Sequence, residues 1–379
     1  MSYNTVKLGE ICHLVNGSAF KSKDFQDEGV PVIKIANVKP NKLLLSDLKC
    51  VPYDIAEKYR KSKVEYGDIL LTMTGNRMDG GPDSWVGKAA LFREHGHYML
   101  NQRLCIVRPT SESVDPVYLS YVLSSWEAQL YFISRSTSSG GQANISPTII
   151  NGFEVPLPDL NTQKKIAKVL DQLDRKIRNN QLINRNLQEQ AQAIYNNMFI
   201  EAKDETWENG LLGDLIIVKY GKDHRKLDSG EYPVYGSGGI MRYVSEYLYK
   251  GESVLIPRKG SLNNVLYVNG AFWTVDTMFY TEMKRPNIAK FVYHFVKSKD
   301  LLSMNTGSAV PSMTKDLLNS LEITIPSEEV LMLFEKRMHP LYRTMQVSET
   351  EIKTLEELRD ALIPKLLSGE ISVDEITLG

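Results

Sequence analysis

Pro156-Leu157-Pro158, followed closely by Thr162-Gln163-Lys164-Lys165-Ile166-Ala167, decides how this chain is organised. From Thr162 to Phe199 no Gly or Pro interrupts the sequence. Apolar residues recur at Ile166, Leu170, Leu173 and Ile177, then at Leu187, Ala191, Ile194 and Met198. Steps of four and three residues are the a/d seam of a helix packed lengthwise on another helix. Asn180 and Asn184 fill the missing seam positions, and a polar seam residue such as Asn180 fixes register at a cost in stability. Asn161 or Thr162 is placed to cap the start. A second copy follows Pro326, where Ser327, Glu328 and Glu329 supply a cap and first-turn acids. Its seam reads Phe334, Met338, Leu341, Met345, Ser348, Ile352, Leu355, Leu362 and Leu366, each 168 residues after its mate in the first helix. Pro340 is expected to kink this helix and Pro364 to mark its last turns.

Working outward, the globular parts repeat as well. Leu8-Gly9-Glu10-Ile11 opens the first and Leu212-Gly213-Asp214-Leu215 the second. Two copies are too few for a solenoid and point to a pseudo-twofold molecule with two similar sites. The first part shows short β-rich runs at Val30–Ile35, Asp68–Met73 and Leu104–Val107, punctuated by Gly and Pro. One helix is expected from Pro116 to Ser134, then a polar loop from Ser136 to Ser146. The second part answers with Gly251–Ile256, a helix from Asn287 to Leu302 and a polar loop from Asn305 to Thr314. Asn151–Pro158 and Asn319–Pro326 close the two copies. Ends match while middles diverge, as expected of one scaffold with two different binding surfaces.

The second helix must return toward the first, so the pair is expected to be antiparallel. Local charge balances are 0 for residues 1–160, +4 for 161–200, 0 for 201–326 and −5 for 327–379, within a net charge of −1. Lys164, Lys165, Lys168, Arg175, Lys176 and Arg178 would then face Glu349, Glu351, Glu356, Glu357 and Asp360. Cys12, Cys50 and Cys105 are too few and too scattered for a disulfide framework or a zinc site. Together with an opening Met1-Ser2-Tyr3-Asn4 that lacks a leader pattern, and no run of membrane-spanning length, they suggest a cytoplasmic protein with no membrane role.

The layout resembles the specificity subunit of type I restriction–modification systems. The marks are Pro156-Leu157-Pro158 before Thr162–Ala167, the closing Leu366-Leu367-Ser368-Gly369-Glu370-Ile371, and Tyr232-Pro233-Val234-Tyr235-Gly236-Ser237-Gly238-Gly239-Ile240. Each is weak alone, and their order together with the repeat makes the likeness specific over almost the whole chain. It implies an α+β fold: two β-rich target-recognition domains joined by two long antiparallel helices that form a coiled-coil spacer. The expected boundaries are a first recognition domain at 1–158, spacer helices at 159–200 and 327–367, a second domain at 201–326 and a tail at 368–379. The resemblance further implies that each domain reads half of a bipartite double-stranded DNA target. The helices would dock two adenine-N6 methyltransferase subunits and leave room for two ATP-driven nuclease/translocase subunits.

Little in the sequence carries catalysis. No P-loop, dinucleotide-binding fingerprint or adenine-methyltransferase motif is present, so no cofactor is expected in this chain. S-adenosylmethionine, and ATP with magnesium, would belong to the partner subunits. Pro158-Asp159 with Asp174-Arg175-Lys176 mimics a nuclease motif, but Asp174 falls within a long helix. His95 and His97 read as a polar turn rather than a metal pair. For DNA, Arg and Lys suit phosphates and guanine, and Asn and Gln suit adenine edges. First-domain candidates are Lys21, Lys23, Asn76, Arg77, Lys88, Arg103, Gln142 and Asn144. Second-domain candidates are Lys222, Arg225, Lys226, Tyr235, Ser237, Arg258, Lys259 and Ser312. Gly75-Asn76-Arg77 and Arg258-Lys259-Gly260-Ser261 stand out because both follow equivalent strands, and loops on rigid scaffolds carry recognition. Two other functions fit less well: a coiled-coil scaffold with two ligand-binding heads, and part of a fused restriction–methylation enzyme.

Overall fold

A computed structural model describes residues 3–78, 81, 84–139, 141–305 and 311–376. The centres of both polar loops, residue 140 and residues 306–310, lie outside the described residues. The chain divides into two compact units, Met1–Asn179 with Glu351–Gly379, and Asn180–Thr350.

The first unit opens with a strand at Thr5–Lys7 that pairs antiparallel with Glu154–Pro156. This ribbon ties the start of the domain to its end. Inside it, Ala89–Leu91, Ile69–Thr72, Leu104–Pro109 and Cys12–Asn16 form one four-stranded sheet. Cys50–Val51, Val30–Ile33, Tyr98–Leu100 and Lys63–Val64 form a second. The expected helix from Pro116 to Ser134 is two helices, Pro116–Ser124 and Trp126–Arg135. The break is chemical: Ser125 adopts an extended backbone, and its hydroxyl caps the second helix by accepting from Ala128 N–H. The polar stretch after it is largely ordered as strands, Thr137–Ser139 and Gln142–Asn144, with Thr74–Gly75 as the third strand.

The second unit repeats the frame with a simpler middle. Glu208–Leu211 pairs with Glu322–Ile325 as the equivalent ribbon. One six-stranded sheet runs in the order Ile216–Tyr220, Met278–Met283, Tyr249–Pro257, Leu266–Thr274, Tyr232–Gly236, Gly239–Val244. Its helix is shorter than expected, Ala289–Lys297: Asn287 takes a left-handed backbone that delays the start, and the helix ends five residues before Leu302.

Helix one spans Leu160–Asn196 and helix two Glu328–Ser368. The cap of helix one is neither Asn161 nor Thr162. Asp159 accepts from both of their N–H groups, at 3.0 and 3.1 Å, and from the Thr162 hydroxyl. Pro340 removes one intrahelical donor without ending helix two. Most of the seam is buried: Ile166, Leu170, Leu173, Ile177, Asn180, Asn184 and Ala191 on helix one and Met198 just after it, with Phe334, Met338, Met345, Ser348 and Leu366 on helix two, while Leu187, Ile194, Leu341, Ile352, Leu355 and Leu362 are half-buried. In the first unit the start of helix one shares a core with the end of helix two, Ile166 and Leu170 with Leu366 and Leu367. In the second unit the end of helix one shares a core with the start of helix two, Ala191 and Tyr195 with Phe334 and Met338. Both pairings are antiparallel.

The charge pattern is realised only in part. Lys176 meets Glu351 at 3.3 Å, but Lys165 turns to Asp374 beyond helix two, and Arg175 pairs within its own helix with Asp171. The buried cross-helix pair has the reverse polarity, with the acid on helix one and the base on helix two. Asp174 accepts from Arg359 at 2.9 Å, from the Tyr121 hydroxyl at 2.5 Å and from the Asn41 amide at 2.7 Å. Exposed lysines gain little by pairing, whereas a buried carboxylate must collect donors. In the second unit Tyr342 stands 168 residues after Asp174, and its hydroxyl contacts His294 Nε2 at 3.0 Å. Gln192 Oε1 holds His294 Nδ1 at 2.9 Å. Each domain is thus tied to its helix ends by a buried polar clamp, with different chemistry in each copy. No helix among the described residues is long and apolar enough to cross a membrane.

Two outcomes follow from these clamps. Asp174→Ala strands three donors in a buried site and should lower unfolding stability by about 3–5 kcal/mol, measured by urea titration. Burial, with Lys297 nearby, pushes His294 down to about 3 from 6.5. Its contribution is therefore complete above pH 6.5 and is lost as pH falls toward 3. Between pH 7 and 4.5 the wild type should lose roughly 2–3 kcal/mol more than His294→Gln. Equal losses would show that the imidazole is not held neutral.

Candidate nucleic-acid interface

In both domains the chain makes the same crossing. Ile145 N–H donates to Met73 O in the first and Met313 N–H to Arg258 O in the second, both at 2.9 Å. One residue on, Asn144 lies opposite Thr74, and Ser312 opposite Lys259. Next, Ala143 lies opposite Gly75, and Gly260 N–H donates to Pro311 O. One side of each crossing is related by 168 residues and the other by 185. The glycines are required. A Cβ on Gly75 would sit 2.6 Å from Val86 N, and Gly260 has φ +86° with the Ser237 hydroxyl 3.0 Å from where its Cβ would lie.

Five first-domain candidates gather around this crossing. Asn144 Oδ1 accepts from the Thr74 hydroxyl at 2.9 Å, and its amide donates to Gln142 O. The Gln142 side chain accepts from Arg103 at 3.1 Å. Arg77 grips Ser136 through its backbone carbonyl at 2.9 Å and its hydroxyl at 3.3 Å. Asn76 donates to the Ser84 hydroxyl. Lys21 and Lys23 are exposed in a short turn around Ser22–Asp24, and no contact among the described residues joins them to this group. Lys88 is a correction: it is 4% exposed and so presents no free surface to a duplex. It sits just before the strand Ala89–Leu91, in a stretch buried on both sides.

The second domain builds its surface from three loops. Lys222 is fixed through its backbone, donating to Thr274 O and accepting from Trp273 Nε1 at 2.9 Å. Arg225 pairs with Asp223 at 2.9 Å and holds that carboxyl well below the usual carboxylate range. Lys226 is exposed in the same turn. Arg258 donates to Asp276 O at 3.1 Å and lies over the Tyr220 ring. Ser237 O accepts from the Asn264 amide at 2.9 Å, which binds the Ser237 turn to the loop after Lys259. Between these loops lies a cleft of about 630 Å³ lined by Asp223, Arg225, Ser237, Met241, Asp276 and Thr277. Tyr235 is not on it. It lines a separate cavity of about 550 Å³ with Gln188, Tyr267, Lys290, Tyr342 and Arg343. Burial there pushes its hydroxyl up to about 12. Ser136 opened the expected polar loop, Thr74 and His224 stand close to named candidates, and Met241, Asp276 and Thr277 carried no sequence signal.

The other chemical motifs are absorbed by structure. Asp174 serves its clamp, and Asp159 caps a helix. His95 stacks on Tyr66 with ring centres 4.9 Å apart. Among the described residues no group of His, Cys, Asp or Glu is arranged to hold a metal ion.

Comparison with known proteins agrees with this architecture. The model of the type I restriction modification DNA specificity domain matches twice, at residues 2–189 and 204–357. The putative type I restriction enzyme MjaX specificity subunit of Methanocaldococcus jannaschii is 22% identical, over 97% of this chain and 93% of its own. The type I restriction enzyme HindI specificity subunit of Haemophilus influenzae is 21% identical, over 90% and 94%. The crystal structure of a type I restriction–modification S subunit from M. genitalium superposes with a TM-score of 0.62 at 17% identity, covering 97% of this chain and 96% of that one. With both copies of its specificity domain matched and the same fold seen in a solved S subunit, the chain belongs to the type I restriction–modification DNA specificity family.

Proposed function

We propose that this chain reads a bipartite double-stranded DNA sequence, one half with each domain, and presents it to adenine-N6 methyltransferase subunits docked along its two helices. The observation that carries the reading is the repeated crossing. At the same place in both domains, one rigid strand pairing holds polar and cationic side chains at the surface, and the side chains differ between copies. Gln142, Asn144 and Arg103 occupy one, where Thr74 itself is buried, and Arg258, Lys259, Ser312 and Ser237 the other. A shared frame with divergent side chains is what independent reading of two half-sites requires. Cations position the phosphates, while amides, hydroxyls and guanidinium groups address base edges.

The chain performs no chemistry in this scheme. S-adenosylmethionine, and ATP with magnesium where restriction occurs, are held by partner subunits, two of each kind. The buried seam leaves the outer faces of both helices free for those partners, in keeping with a cytoplasmic assembly.

The purified chain should transfer no methyl group to DNA alone and should confer sequence-specific methylation on its partner subunit. Methyl incorporation by the single chain would refute the assignment. Replacing Arg258 and Lys259 together with Ala should weaken duplex binding about ten-fold or more and lower the slope of log affinity against log salt by about 1–2. An unchanged slope, measured by fluorescence anisotropy from 50 to 200 mM salt, would remove these residues from the phosphate contacts.

A further inference from the structure

The second domain makes with a tight hairpin a return that the first makes over a longer stretch. Val30–Ile33 and Tyr232–Gly236 are equivalent strands. Each pairs in parallel with a strand that leads into the same tight spot: Val32 with Met99 and Ile33 with Leu100, Val234 with Trp273 and Tyr235 with Thr274. Gly17 and Gly221 mark that spot, since a Cβ on either would lie 2.0 Å from a carbonyl oxygen, of Asn101 and Val275 respectively. After the shared strand the chains part. The first domain turns into a short 3₁₀ segment, Ile35–Asn37, and reaches its antiparallel partner only at Cys50–Val51, whereas the second returns at once as Gly239–Val244 to complete a two-stranded ribbon at the edge of the six-stranded sheet, joined to it through Val234 and Tyr235.

This ribbon is braced from both sides by the cationic loops. Arg242 donates to Leu227 O at 2.7 Å, tying it to the loop of Lys222, Arg225 and Lys226. Asn264 donates to Ser237 O, tying it to the loop of Arg258 and Lys259. Strand alternation sends Tyr235 toward the helix-side cavity and Met241 into the cleft between the loops. Met241 is 59% exposed there, an apolar side chain held at the surface amid charge. Around it the cleft is lined by Val275, Ser237, Arg225 and Asp276. Nδ1 of His224, also on the cleft, has no hydrogen-bond partner among the described residues.

We infer that this cleft reads the major-groove edge of an A·T pair, with Met241 taking the thymine 5-methyl group. The inference rests on the DNA-reading function proposed above. The major groove, about 12 Å wide, admits a two-stranded ribbon, and thymine is the one base that presents a methyl group there. Beside that methyl lie the thymine O4 acceptor and the adenine N6 donor. Among the residues lining the cleft, Ser237 and Arg225 are of donor type, with Nε and Nη2 of Arg225 given to Asp223, and Asp276 is of acceptor type. Lys222, Lys226, Arg258 and Lys259 flank the ribbon where the two phosphate backbones would run.

The test removes the 5-methyl group from the base and the side chain beyond Cβ from Met241, in turn. Once the methylated motif is known, each of its thymines is replaced singly by deoxyuridine, which keeps base pairing and deletes only the 5-methyl. Binding is measured for the full chain assembled with its methyltransferase subunit, as wild type and as Met241→Ala. One position should lower wild-type affinity about four-fold, the worth of one buried methyl group. Met241→Ala should show the same loss on thymine DNA and no further loss on the deoxyuridine duplex. If no thymine is sensitive, or if the variant still senses the methyl at every sensitive position, the inference is overturned. Failure of the wild-type assembly to bind the unsubstituted motif would refute the DNA-reading function itself, a separate result.

Discussion

One buried carboxylate organises the first unit. Asp174 projects from helix one and collects an amide from the domain's early loop, a tyrosine hydroxyl from its helix and a guanidinium from helix two. A charge out of water is tolerable only when donors surround it, so these three segments are held in one arrangement. The second unit meets the same need with Tyr342, His294 and Gln192. A recognition surface is useful only if its scaffold is rigid, and each clamp joins a domain to the helix ends that carry it. The apolar seam supplies adhesion and the clamps supply position.

Much of this was legible in the sequence because it is periodic. The seam spacing, the 168-residue echo between the helices and the Leu-Gly openings all rest on local rules, and the structure buries most of the seam residues and half-buries the rest. What escaped depends on three-dimensional neighbours. Ser125 breaks a helix because its hydroxyl finds an amide to cap. Asn287 delays the start of another through its backbone conformation. Lysines of helix one were expected to face acids of helix two, yet the buried pair reverses that polarity, since solvated charges have little reason to pair.

The candidate site was legible to about the same depth. Residue type pointed to Asn76, Arg77, Arg103, Gln142 and Asn144, and the fold gathers them. Type alone could not separate Lys88, which is buried, or Tyr235, which faces the other side of its strand. Nor could it pick out Met241, because an exposed methionine is unremarkable until its neighbours are known. The equivalence of Asn144 with Ser312 and of Thr74 with Lys259 emerges only from the strand pairing.

The central claim is that two copies of one frame read DNA independently. The most direct measurement exchanges residues 201–326 for the corresponding segment of another family member and maps adenine methylation across the genome of cells carrying the hybrid. The account requires that one half of the methylated motif changes while the other half is kept. A hybrid that methylates DNA with both halves changed, or with neither changed, would contradict it.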